Sequence, residues 1–86
     1  MYIPTLDEPS KRVLRVIRSQ GVVPGWQIVS EAQVSCEDLV RISGMLMSFG
    51  LISASGNINN ASEIGKAYFN IQPSSVQLAE LVLNTP

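Results

Sequence analysis

Residues 34–53, VSCEDLVRISGMLMSFGLIS, read as a helix that stops at a glycine and passes into an apolar pair. Leu39, Ile42, Leu46 and Phe49 recur at steps of three and four, with Met45 beside them. That spacing gives one apolar face, expected to be buried, and one face left free. Ser35 with Asp38 three positions on is a variant of the capping box and sets the start. Gly50 sets the end. The leading turn holds Glu37 and Asp38, acids that favour the positive end of a helix.

Upstream, MYIPTL (1–6) reads as an extended lead-in. Asp7 can cap a first helix with Pro9 tolerated in its first turn, where a backbone donor is not yet needed. From Ser10 to Gln20, Val13, Leu14, Val16 and Ile17 form an apolar stripe, and Gly21 supplies the stop. VVPG (22–25) is turn material. Trp26, Ile28, Val29 and Ala32 make a short amphipathic helix over roughly 25–32, and QVS (33–35) is a tight turn into the next. Downstream, LISAS (51–55) and NIN (57–59) flank a Ser-Gly-Asn bend, which predicts a short two-stranded hairpin. ASEIGKAYF (61–69) predicts a helix of about two turns with Ile64, Ala67, Tyr68 and Phe69 facing inward. Pro73 interrupts. Ser74 with Gln77 then opens a last helix through about Leu83. The fold class is mainly α with a small β-hairpin: a three-helix core, a hairpin and two C-terminal helices. Residues 1–86 make a single domain, with its core in 10–70 and a C-terminal helix in 73–84.

Eighty-six residues, 45% hydrophobic and 15% charged, suffice for one core without metal or disulfides. A net charge of −1 and a pI near 5.1 give no overall attraction to nucleic acid or anionic lipid, so any basic surface must be local. No apolar run approaches the ~18–20 residues of a membrane span, and the N-terminus lacks the basic-then-apolar layout of a signal peptide. Asn60-Ala61-Ser62 matches the glycosylation sequon, a chance match without an export signal. With a single cysteine, Cys36, no internal disulfide forms, and a cytoplasmic location is expected.

The chemistry of catalysis is sparse. The chain has no histidine, so the usual acid–base shuttle and imidazole metal ligands are missing, and Cys36 has no imidazole to activate it. One cysteine cannot nucleate a zinc site. Glu37 and Asp38 are adjacent and point apart on a helix, and no phosphate-binding Gly-Lys-Ser/Thr occurs. No enzyme activity, metal or cofactor is expected.

The order of these elements resembles the winged helix-turn-helix superfamily over roughly residues 10–70. The resemblance centres on IVSEAQVSCEDLVRISGMLMSFGLI (28–52). Ile28, Val29 and Ala32 stand where members put small and apolar residues on the second helix. Val34-Ser35 opens the third, Leu39 and Leu46 are its buried anchors, and FGLI is similar to the usual exit into the wing. ASEIGKAYF is similar to the segment after the wing in regulators of the multiple-antibiotic-resistance repressor type, with Ser62, Gly65 and Lys66 at matching places. Gln33 departs from the glycine often found at the turn.

The resemblance implies that the third helix lies in the DNA major groove and the wing touches phosphate or the minor groove. Carried over by position, the groove-facing residues are Ser35, Glu37, Asp38, Val40, Arg41 and Gly44, and the wing tip is Ser55, Gly56 and Asn57. Phosphate contacts need Lys or Arg, yet that helix offers one arginine beside two carboxylates, and the wing tip offers none. Glu37 could accept from cytosine N4, or it could serve only the helix end. Arg41 is the best single candidate for a DNA contact, with a solvated residue as the other reading.

Four of six cations, Lys11, Arg12, Arg15 and Arg18, fall in the first helix. They could bind phosphate or an acidic protein surface, or form a solvated outer face. In the last helix, Val76, Leu78, Leu81 and Val82 spread apolar character around the axis. That pattern suits a homodimer or a protein partner, or else deep burial in the chain's own core. Trp26 and Tyr68 read as core packing in preference to a ligand-lining pair. By resemblance, the expected function is a small winged-helix DNA-binding protein, a transcriptional regulator that binds double-stranded DNA as a dimer. The charge distribution points to the alternative, a winged-helix interaction module that docks protein and does not bind DNA.

Overall fold

The structure, a computed structural model, describes residues 5–84. Of the expected extended lead-in, residues 1–4 lie outside the described residues, and Leu6 is buried in the core. The described chain is mainly helical, with four α-helices and a small three-stranded antiparallel sheet. The helices are α1 (Glu8–Gln20), α2 (Gly25–Ala32), α3 (Cys36–Ser48) and α4 (Val76–Asn84). The strands are β1 (Val23–Pro24), β2 (Ile52–Ser55) and β3 (Tyr68–Ile71), in the sheet order β1-β3-β2.

The first three helices form where the sequence places them, because their caps and stripes agree. The Ser10 backbone N–H donates to Asp7 Oδ1 at 3.0 Å, and Pro9 sits in the first turn. Gly21, at φ +82°, closes α1 with its N–H on the Ile17 carbonyl. Ser35 caps α3, its Oγ accepting from the Asp38 N–H at 3.0 Å. Leu39, Ile42 and Leu46 are fully buried, as the spacing requires. Phe49, expected as a further anchor, is instead 38% exposed, because α3 ends at Ser48 and the chain turns away through Gly50. Between α2 and α3, Gln33 takes the left-handed conformation, φ 56° and ψ 50°, with its N–H on the Val29 carbonyl. The departure from glycine noted in the sequence therefore falls at the position where glycine would be easiest.

The second half differs from expectation. NIN (57–59) is not a strand. β2 pairs with β3, in the register Ile52↔Ile71, Ser53↔Asn70, Ala54↔Phe69 and Ser55↔Tyr68. The expected helix over 61–69 is a hydrogen-bonded turn and one 3₁₀ turn, Ile64–Lys66, running straight into β3. Ile64 and Ala67 do face inward, but a single 3₁₀ turn provides their spacing, through the Ala67 N–H on the Ile64 carbonyl. From Tyr68 the period becomes two, so Phe69 is fully buried while Tyr68 stands outward. The last helix begins at Val76 after a 3₁₀ turn, Pro73–Ser75, in which the Ser75 hydroxyl donates to the Gly50 carbonyl at 2.6 Å.

β1 joins the other edge of β3, with Val23 opposite Phe69 and Pro24 opposite Tyr68. Gly25 follows, and its N–H donates to the Ala67 carbonyl at 2.8 Å. Any side chain at Gly25 would run into the Ile64 carbonyl oxygen, so α2 can begin here only with glycine. The core lies between this sheet and the helices. α1 contributes Val13, Leu14 and Ile17, α3 its three anchors, and α4 contributes Ala79, Val82 and Leu83.

Two substitutions test this arrangement by thermal or urea unfolding. Phe69→Ala is expected to cost ~3–5 kcal/mol and Tyr68→Ala no more than about 1 kcal/mol, a contrast that a strand requires and an inward-facing helix does not. Gln33→Gly is expected to leave stability unchanged or raise it by up to ~1 kcal/mol, since relief of the left-handed backbone outweighs the added freedom of the unfolded chain.

Candidate interaction surfaces

The outer face of α3 presents most of the residues that the resemblance assigns to a groove. Glu37, Asp38, Arg41 and Gly44 are exposed, and the space around Gly44 is open. Val40 is half-buried against the core and is withdrawn from this face. Ser35 is exposed, but its hydroxyl is engaged as the cap. Arg41 does not stand alone: its guanidinium lies 3.8 Å from the Asp38 carboxylate. Asp7, at the start of α1, also feels the Arg41 charge. The Asp7 carboxyl is held below the ordinary carboxylate range first by the Ser10 hydroxyl, then by the Ser10 N–H, with a smaller contribution from Arg41. Two carboxylates, Asp38 and Asp7, thus act on the one cation of this face, and Glu37 is exposed on the same helix.

The loop between β2 and β3 is closed by its own asparagines. Asn57 Oδ1 accepts from the Asn59 N–H at 3.1 Å, and Asn60 Oδ1 accepts from both the N–H and the hydroxyl of Ser62. These Asx turns hold the tip that contains Ser55, Gly56 and Asn57, all of them exposed. The loop's single cation is Lys66, 3.7 Å from Glu63.

The four cations of α1 do not form one open stripe. Lys11 is buried at 8% exposure. Arg12 reaches across to α2, its Nε donating to the Ala32 carbonyl at 2.9 Å. There it satisfies one of the last carbonyls of the helix. Arg15 pairs with Glu8 at 3.3 Å, and Arg18 pairs with Glu80 of α4 at 2.7 Å. Arg12 and Arg18 are thus drawn to the neighbouring α2 and α4 and Arg15 to its own helix, while Arg15 and Arg18 keep exposed surface.

The four residues singled out on α4 also divide. Val82 is fully buried and offers no surface to a partner, and Leu78 is half-buried against the core. Val76 and Leu81 remain exposed. Val76 lies on the rim of a groove of about 310 Å³ between the end of α1, the end of β3 and the start of α4. Ile17, Ile71 and Ala79 line it, and Arg18 and Val22 border it. Val22, which the sequence left in a turn with no role, is 68% exposed.

Trp26 and Tyr68, expected in the core, are 64% and 51% exposed. Trp26 follows the clamped Gly25 and lies over Gly65, and Tyr68 occupies an outward strand position beside Pro24 and Ser55. No group of three or more His, Cys, Asp or Glu among the described residues is placed to hold a metal ion. No helix among them is long and apolar enough to cross a membrane. No protein-family model matches this sequence, and no curated protein matches it.

The depressed carboxyl of Asp7 carries a sign. A group whose folded-state pKa lies below its unfolded value contributes stability above the unfolded pKa, and that contribution disappears as pH falls through the folded pKa. Asp7→Asn keeps a capping side chain but removes the titration. It is expected to melt close to the parent at pH ~7 and to lose less melting temperature than the parent between pH ~5 and ~2.5. Thermal melts across that range check it, and parallel losses in the two proteins would remove the role assigned to Asp7.

Proposed function

We propose that this chain is a winged-helix module that works by docking protein, through the face made by α1, the end of β3 and α4. In this reading the third helix is part of a scaffold and does not read DNA. The order of three helices, a ribbon after Gly50 and a further helix supports the winged-helix assignment, as does the outward flank of α3. The state of the cations carries the functional half. All six lysines and arginines lie among the described residues. Four face a carboxylate, Arg12 is bound to a backbone carbonyl, and Lys11 is buried.

Affinity for duplex DNA comes mainly from cations that neutralise phosphates and release counterions. An exposed ion pair is individually weak and can be exchanged, but each exchange strands a carboxylate beside the phosphate. On α3 the exposed charges are Glu37, Asp38 and Arg41, which sum to one negative charge facing a negatively charged polymer. The docking face is different in kind. It offers an apolar groove with exposed valines on its rim, the composition of a protein contact.

One observation favours the DNA reading as second choice: Arg41 is exposed on the outer side of α3, where the resemblance places a base or phosphate contact. Fluorescence anisotropy with random duplex DNA at low salt separates the two. Protein docking without DNA reading predicts no binding up to roughly 100 µM protein, although even non-specific binders normally reach ~10⁻⁴–10⁻⁶ M. A salt-sensitive isotherm within that range, weakened by Arg41→Ala, would replace this proposal with the DNA-binding one.

A further inference from the structure

Resting on the protein-docking reading, we infer that the docked segment is a proline-rich stretch of a partner protein in the polyproline II conformation. It lies along the outer face of the sheet, from Val22 at the rim of the groove, across Pro24, to the rings of Tyr68 and Trp26. Strand geometry sets these positions. Val23 is fully buried, so its neighbours Val22 and Pro24 point outward together. Tyr68 stands opposite Pro24 on the outward side of β3, and Trp26 follows two residues on, in the first turn of α2. Val22, Trp26 and Tyr68 are 68%, 64% and 51% exposed. The Cα atoms that carry the two rings therefore lie within roughly 12 Å of each other. One turn of polyproline II advances about 9 Å, so prolines three residues apart reach both rings.

Three properties of this surface favour such a segment over others. The first is hydrogen bonding. Among the described residues, neither the Trp26 indole N–H nor the Tyr68 hydroxyl donates to another group. Each is a donor set on an apolar ring, and each calls for a carbonyl that is not already engaged. A helix engages all but its last few carbonyls internally, whereas polyproline II leaves every one free.

The second is the sheet edge. The Gly25 N–H donates to the Ala67 carbonyl, so by the alternation of the ladder the backbone of Pro24 faces the free edge of β1. Proline has no N–H to offer there, and an added partner strand would meet a broken ladder. Recognition falls to the side chains. The third is charge. The ion pairs at the two ends of the strip, Arg18–Glu80 beside the groove and Lys66–Glu63 beside Gly65, are each balanced within the chain. Val22, Pro24, Trp26 and Tyr68 carry no ionised group, which matches an uncharged segment and gives a charged one nothing to pair with. A sugar also stacks on exposed rings, but its hydroxyls need acceptors. The carboxamide oxygens of Asn57 and Asn60 in the adjoining loop are engaged within that loop.

Trp26 is the only tryptophan of the chain, so its fluorescence reports on this surface directly. Titration of the full chain with decaproline is expected to shift that emission to shorter wavelength and to saturate below ~1 mM peptide. A glycine–serine peptide of the same length has free carbonyls but no rings and no preset backbone, and is expected to bind at least about tenfold more weakly. Tyr68→Phe removes only the hydroxyl and is expected to keep the parent's melting temperature while weakening decaproline binding about three- to tenfold. Amide shift changes in the labelled parent, which need no variant to fold, are expected at Val22, Trp26 and Tyr68 and not at Glu37–Arg41.

Trp26 emission unmoved by decaproline, equal affinity for the two peptides, full affinity in the Tyr68→Phe protein, or a saturable shift with maltohexaose in place of decaproline would each overturn the inference. Its failure is distinct from failure of the protein-docking reading. A chain that ignores both decaproline and duplex DNA removes the proline-rich partner alone, whereas a salt-sensitive DNA isotherm weakened by Arg41→Ala removes the docking reading.

Discussion

Phe69 sits between two neighbours, opposite Val23 on one side and Ala54 on the other, and it is fully buried. Among the described residues its strand is the only partner of β1 and the only partner of β2 in the sheet. Removing β3 would leave two short strands with nothing to pair with. It would also strip the Gly25 N–H of the Ala67 carbonyl that fixes the start of α2. Buried backbone groups left unpaired cost too much for a domain of this size to tolerate several. The position of α2, the outward turn of Tyr68 and the groove beside Ile71 all follow from this strand.

The helices were legible because several local signals agreed. Asp7 and Ser35 each had a helix to cap, the apolar residues kept a period of three to four, and Gly21 marked an end. Such signals lie within a few residues of what they specify. The strand at 68–71 was not legible for the opposite reason. Ile64, Ala67, Tyr68 and Phe69 satisfy a helical template, and only Phe69 and Ile71 hint at alternation. What decides between them is pairing with residues 52–55 and 23–24, distant in sequence and silent in the local pattern. The Ser-Gly-Asn bend after β2 drew the partner strand too close, because a tight hairpin is the shortest explanation of such a bend.

The surfaces divide in the same way. Exposure of Glu37, Asp38, Arg41 and Gly44 follows from the stripe of α3 and was readable in advance. Trp26 and Tyr68 were placed inside because large aromatics usually are, but a strand register and a glycine clamp turned both outward. The partners of Arg12 and Arg18 lie 20 and 62 residues away, so no reading of local spacing could have found them. Those partners are what the proposed protein-docking function rests on. Each exposed pair adds little stability, yet together they account for the charge that a nucleic acid would have needed. What the surface retains is an apolar hollow at the meeting of α1, β3 and α4.

Nuclear Overhauser contacts in solution report directly on the strand that organises the fold. Residues 61–71 of the isotopically labelled chain should show backbone contacts from Phe69 to both Val23 and Ala54, with strong sequential Hα–HN contacts through Tyr68–Ile71. A run of helical HN–HN contacts through 61–69, with no cross-strand contact from Phe69, would contradict the sheet and with it the groove, the clamp at Gly25 and the outward aromatic pair.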